Sequence, residues 1–386
     1  MKSFISACGL LLIFLVNNIS SAAVSSNALE RLRLHNLATD PATISTFLSN
    51  GFSENVDYEK MPAEPGQKCQ LLIDAMQVAG TQRMHETFAP LQKLAKAEFS
   101  PGIEAMLQHD LMLAQPAERS EQRNQLTRFL QYNAVVALGL IGDVQGLPLV
   151  QDLYKRAQDP VEKAQYALNM ACLGDGSGMD FLVGAVAKAD QLASVAAARA
   201  IYYITGLDYG YVATTPVKLR QKLAGDYQQW WKKTKPAFQV DPAAVIRRRL
   251  AKPIAPRLSM SKVRDLVAAT TNFADFGDEQ GSRTAEERLE QMGTAAASDL
   301  EKVALDPMED LAVRSNAILR YTILEKKGAK KLLKKLGKDE NPEIVALSKD
   351  ELKKIDSGEI NSYSAVTHSL ISPETKKPTA AVEKKH

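Results

Sequence analysis

Cysteine, histidine, tryptophan and net charge are all in short supply in this 386-residue chain. Three cysteines, Cys8, Cys69 and Cys172, are too few to staple a fold, and a chain this long can bury cores that need no staples. The five histidines (His35, His85, His109, His368 and His386) are scattered. His85-Glu86 lacks the second histidine that a zinc-protease helix needs four residues on, where Ala89 stands instead. There is no CxxC pair, no phosphate-cradling Gly-Lys-Ser/Thr loop and no Gly-x-Ser-x-Gly elbow. Phe276-Gly277-Asp278-Glu279-Gln280-Gly281 is acidic but lacks the alternating ligands of a calcium loop, so it reads as a turn. With 48 basic and 45 acidic side chains the net charge is +3, far from the basic balance of a nucleic-acid-binding domain. The expectation is a non-enzymatic chain with no catalytic residues, no cofactor, no metal and no nucleic-acid partner.

Long apolar runs are missing too, with one exception. Lys2 precedes the stretch Ile5–Val16, which is followed by Asn17-Asn18 and the small residues Ser20-Ser21-Ala22-Ala23. A basic start, a short apolar core and a small-x-small site describe a secretory signal peptide over residues 1–23, cut near Ala23. The run is too short to span a bilayer comfortably, and no cysteine marks a lipoprotein anchor. The mature chain is therefore expected without a membrane span, in the periplasm or outside the cell. It would keep Cys69 and Cys172, which are 103 residues apart. A disulfide needs Cα atoms within about 7 Å, so two separate buried thiols are expected.

What the chain does have is repetition. Leu138-Gly139-Leu140-Ile141-Gly142-Asp143 returns as Ala171-Cys172-Leu173-Gly174-Asp175 and as Ile204-Thr205-Gly206-Leu207-Asp208. Gly142, Gly174 and Gly206 follow one another at steps of 32 residues, the period of a helical solenoid. Each period reads as two helices. Leu147, Leu149, Val150, Leu153 and Tyr154 recur at three- and four-residue spacing; Asp159-Pro160 then caps and opens a second helix. That helix carries the narrow stripe Val161, Ala164, Ala167, Leu168 and Ala171, and Gly174 ends it. The next period repeats the scheme with Phe181, Leu182, Val183 and Val186, then Val195, Ala198, Ile201 and Tyr202. The aspartates Asp143, Asp175 and Asp208 fall in successive turns, where capping accounts for them.

These phrases resemble HEAT repeats, in particular the bacterial PBS-lyase HEAT-like variety. The resemblance rests on Leu130–Asp143 and on Val313-Arg314-Ser315-Asn316-Ala317-Ile318-Leu319, and it loosens in the middle repeat, where Glu162 replaces the usual basic residue. It implies an all-α solenoid used mainly for protein binding, with the second helices lining the inner surface. On those helices Lys163, Tyr166, Arg199 and Tyr203 are the candidate contributors, and the partner itself stays unknown. A structural component of a surface or envelope assembly shares every one of these features. A lyase-type enzyme rests on the family name alone.

The rest of the chain organises around this array. Residues 24–118 read as a divergent helical region, with Leu71-Leu72, Ala75-Met76 and Phe88, Leu91, Leu94 as apolar pairs and a proline-bearing loop at Asp57–Gly66. Residues 119–238 are the HEAT-like repeats, closed by an aromatic cap of Tyr227, Trp230 and Trp231. Residues 239–261, with Pro242, Arg247-Arg248-Arg249, Pro253 and Pro256, read as a linker or strap. A second helical lobe over 262–356 shows Leu289–Gly293 echoed by Leu324–Gly328, and Asp306-Pro307 echoed by Asn341-Pro342, both at a step of 35. Within it Lys326-Lys327, Lys330-Lys331 and Lys334-Lys335 alternate with Leu332, Leu333 and Leu336, which reads as a solvated helix face. Glu325, Asp339, Glu340 and Glu343 are interspersed and should weaken its attraction for phosphate. Residues 357–386 have few large apolar side chains and read as a disordered tail.

Overall fold

A computed structural model of the chain describes residues 21–52, 67–111, 116–188, 191–212, 214–251, 261–271 and 279–359. Most of the signal-peptide reading, the Asp57–Gly66 loop and nearly all of the tail lie outside the described residues. Every regular element among the described residues is a helix, so the all-α class holds. The chain divides into two compact units, the second of which takes Thr214–Val217 and the helices after Arg257.

In the first unit α1 (Ser21–Leu34), α2 (Pro41–Asn50), α3 (Gln67–Thr81), α4 (Phe88–Ala95) and α5 (Pro101–Asp110) precede the long helix α6 (Arg119–Ile141). This region packs directly on the repeats: α6 packs on both α3 and α4, and one core includes residues from Ala28 to Leu173. The approach is close enough that a Cβ on Gly80 would come within 2.9 Å of Ala137 Cα. Cys69 is buried here, and burial pushes its thiol pKa up and keeps it inert.

The repeats follow as α7 (Leu147–Arg156), α8 (Pro160–Cys172), α9 (Met179–Lys188) and α10 (Gln191–Thr205). Helix α7 packs on α8 and α9 on α10, while α6, α8 and α10 pack on one another in chain order. Local chemistry explains the boundaries. Asp159 accepts hydrogen bonds from the Val161 and Glu162 amides at 2.7 and 3.1 Å, with Pro160 in the first turn. The left-handed backbone that follows each second helix falls on Gly142, Gly174 and Gly206, with φ of 78°, 95° and 80°. Asp143, Asp175 and Asp208 then each accept the amide two residues on, from Gln145, Ser177 and Gly210, at 3.0, 2.8 and 2.7 Å. They are turn formers, as their spacing implies. Cys172 is buried and unpaired, as is Cys69.

Helix α11 (Val217–Thr234) buries Leu223, Ala224, Tyr227 and Trp231 and leaves Trp230 half-buried. The stretch expected as a linker or strap contains a helix, α12 (Pro242–Leu250), that packs on α8 and α10.

The second unit contains α13 (Val263–Thr271), α14 (Glu279–Met292), α15 (Ala297–Leu305), α16 (Leu311–Glu325), α17 (Lys330–Leu336) and α18 (Pro342–Ser357). They pack as pairs, α13 with α14, α15 with α16 and α17 with α18, and both α13 and α18 rest on α16. Glu279–Gly281, expected in a turn, open α14, and Phe276–Asp278 lie outside the described residues.

The caps of this unit do not follow the 35-residue echo of its sequence. Helix α16 is capped by Asp310, which accepts from the Ala312 and Val313 amides, and not by Asp306. Its counterpart is Asn341, which caps α18 through Glu343 and Ile344, so the caps are 31 residues apart. Likewise the positive φ after α14 falls on Gly293 (49°), but after α16 it falls on Lys326 (48°), two residues before Gly328. The letters Gly and Pro recur at 35, whereas the backbone repeats at 31 to 33.

Candidate functional site

Carbonyls at the C-terminal end of a helix lack intrahelical partners and carry partial negative charge. Two arginines answer them in the first unit, and a third, Arg249, bonds side chains near the end of α8. Arg83 donates to Ile141 C=O at the end of α6 at 3.2 Å. From α12, Arg248 donates to Tyr203 C=O at 2.7 Å and also to Ile204 C=O, at the end of α10. Arg249, 3% exposed, donates to Asn169 Oδ1 at 2.9 Å and Cys172 Sγ at 3.3 Å on α8. A Cβ on Gly142 would come within 2.9 Å of Ile246, and one on Gly174 within 3.6 Å of Pro242. Helix α12 therefore lies across the glycine-capped ends of α6, α8 and α10 and clasps them.

Beside the clasp is an open groove of about 460 Å³, formed by the Gly174–Ser177 turn, the start of α9, the end of α11 and residues 235–240. Its wall is aromatic: Trp231 and Phe238 meet edge to face with centroids 5.1 Å apart. Its rim is charged. Asp180 accepts from the Trp231 indole N–H at 2.7 Å and from Lys235 Nζ at 2.7 and 2.9 Å. The Lys235 ammonium and then the indole hold the Asp180 carboxyl below the usual range. Glycine keeps the groove open, since a Cβ on Gly176 would lie 2.7 Å from Val240 Cγ2.

The four candidates expected on the second helices do not form one exposed surface. Tyr166 is buried and donates its hydroxyl to Glu162 at 2.6 Å, and Tyr203 is buried against Tyr202. Lys163 is half-buried, its ammonium 5.0 Å from the Tyr154 ring and 5.4 Å from that of Phe181. Arg199 is half-buried. Next to Tyr166 on α8, the Gln165 amide is buried with no hydrogen-bond partner, as is the Tyr132 hydroxyl on α6.

Among the described residues no group of three or more His, Cys, Asp or Glu could hold a metal ion. The nearest approach to a cluster is structural: Asp110 accepts the Cys69 amide at 2.9 Å at the start of α3, with His109 3.7 Å away. No described helix is long and apolar enough to cross a membrane. What the groove offers is an aromatic wall, one ion pair and loop backbone groups, which suit recognition of a polypeptide. Sequence reasoning placed Trp231 in an aromatic cap and singled out none of Asp180, Lys235 and Phe238. Nothing periodic marks them, because the indole and its carboxylate are 51 residues apart. Comparison with protein-family models, with curated proteins and with solved structures finds no match to this chain.

Proposed function

We propose that the chain is an exported α-solenoid of HEAT-like helix pairs that serves as a non-enzymatic interaction scaffold, docking a protein partner in the Asp180–Trp231–Phe238 groove. One observation carries the reading. The groove places half-buried Phe238 against buried Trp231, beside the Asp180–Lys235 ion pair, in an open cleft of about 460 Å³ that Gly176 helps to keep clear. Aromatic anchors ringed by polar groups are where binding energy concentrates at protein interfaces. The 32-residue step, with each second helix packed on the next, supports the solenoid, and the Ile5–Val16 run supports export.

The test is site-specific photo-crosslinking in the cell of origin, with a benzophenone side chain at exposed Gln239 and a control at exposed Lys232. The reading expects one discrete adduct at Gln239, absent at Lys232 and lost when Asp180→Lys reverses the rim charge. Adducts of the chain with itself would favour a structural assembly instead. Equal adducts at both positions would remove the groove as the site.

A further inference from the structure

The second unit carries a separate surface of one charge. Residues 326–338 contain seven lysines and no acidic residue. Leu332, Leu333 and Leu336 of α17 are all buried in the unit's core, so this helix has no apolar face left to insert into anything. Lys331, Lys334 and Lys335 fall at i, i+3 and i+4, on the side opposite those leucines, Lys338 follows just past the helix end, and all four are exposed. Lys326 and Lys327 are exposed just before them.

The carboxylates expected to neutralise this face do so only in part. Asp339 is drawn away into an ion pair with Arg314 at 2.6 Å. Asp356 pairs with Lys330 at 2.7 Å, and its field also reaches Lys334. Glu325 is half-buried before the run, and Glu340 and Glu343 are exposed beyond its C-terminal end. The four-lysine face itself therefore keeps most of its charge.

We propose that this lysine face docks the protein on an anionic phospholipid surface. The chemistry of the residues favours a lipid surface over nucleic acid. The run has no arginine for bidentate phosphate contacts and no aromatic side chain for stacking on bases. Compact ammonium charges on long stems suit a diffuse, planar layer of phosphates. Each lysine near such a surface strengthens association about fivefold, and with no apolar insertion the binding is reversed by salt.

The experiment is co-sedimentation of the full chain with vesicles of phosphatidylcholine, with or without about a third phosphatidylglycerol. Binding is expected only with the anionic lipid and is lost in about 0.5 M salt. Changing Lys331, Lys334, Lys335 and Lys338 together to Gln lowers it by at least about a hundredfold, whereas changing them to Arg preserves it. Inorganic phosphate at millimolar concentration should not compete, because a single ion engages one or two lysines; full competition would point to a free-phosphate site. The proposal fails if the Gln variant binds vesicles as well as the parent does. Salt-sensitive binding of duplex DNA or RNA without vesicle binding would assign the face to nucleic acid instead.

Discussion

The two units hold their helices together by different means. The repeats of the first rely on small residues and backbone: alanine stripes on α8 and α10, a glycine at the α3–α6 crossing, glycine caps after α6, α8 and α10, and arginines that donate to carbonyls, with the pairs Arg31–Asp74 and Arg123–Glu104 confined to its N-terminal helices and the start of α6. The second relies on arginine–carboxylate pairs that reach into its core. Arg314, with a side chain 4% exposed, pairs with Asp339; Arg320 pairs with Glu286, and Arg264 with Glu309. Close packing of small residues leaves little room for larger ones, whereas a buried ion pair tolerates volume but not the loss of one partner. The same fold class can thus be sensitive to opposite kinds of substitution.

The largest effect should come from leaving Arg314 alone. Asp339→Ala removes the carboxylate and leaves the guanidinium buried with only the Ala304 carbonyl. Breaking such a pair costs about 3–5 kcal/mol, so amide exchange in α16 should accelerate while α8 is unchanged. Acid acts in the same direction. Arg314 holds the Asp339 carboxyl below its ordinary value. Its stabilisation is therefore complete above about pH 4 and is lost as pH falls through the depressed folded value. Asp339→Asn should flatten that acid limb in a thermal-melting series, and an unchanged limb would assign it to other carboxylates.

Next in size is a contrast between glycines of the first unit. Alanine at Gly80 must push against the α6 backbone at Ala137, an overpacking worth about 1–3 kcal/mol that outweighs its better helix propensity. Alanine at Gly184 or Gly225 meets nothing within 4 Å and should stabilise by about 1 kcal/mol. Denaturant midpoints moving the same way for Gly80→Ala and Gly184→Ala would contradict the close crossing of α3 and α6.

The smallest effect sharpens the comparison of caps. Lys326 has a φ of 48° at a position where α6, α8 and α10 are followed by glycine. Lys326→Gly should stabilise the second unit by about 1 kcal/mol by relieving that strain. Destabilisation would show that the Lys326 side chain makes a contact worth more than the strain.

Features set by neighbours in sequence were legible, and features set by distant partners were not. The Leu138–Asp143 phrase foretold both the glycine cap and the aspartate turn, because each is a condition on a few adjacent residues. Asp159-Pro160 announced a helix start for the same reason. In the second unit the recurring letters do not mark the caps: Gly328 and Pro307 belong to the 35-residue echo, while the positive φ falls on Lys326 and the N-cap on Asp310. The clasp gave no periodic sign: Arg249 reaches Asn169 across 80 residues, and Arg-rich stretches between prolines read equally well as linkers. Tyr166 and Tyr203 were candidates because of their helix, but nothing in a single sequence showed that their neighbours bury them.

The clasp is the feature that orders the three helix ends next to the groove, and Arg248→Ala tests it most directly by amide hydrogen exchange. Removing a partly buried cation from a helix C-terminus costs about 1 kcal/mol, which corresponds to roughly fivefold faster exchange there. The acceleration should be confined to the last turn of α10 and the Gly206 cap, with Leu130–Leu138 in α6 unchanged. Uniform acceleration across α6, α8 and α10, or none at Gly206, would contradict the clasp.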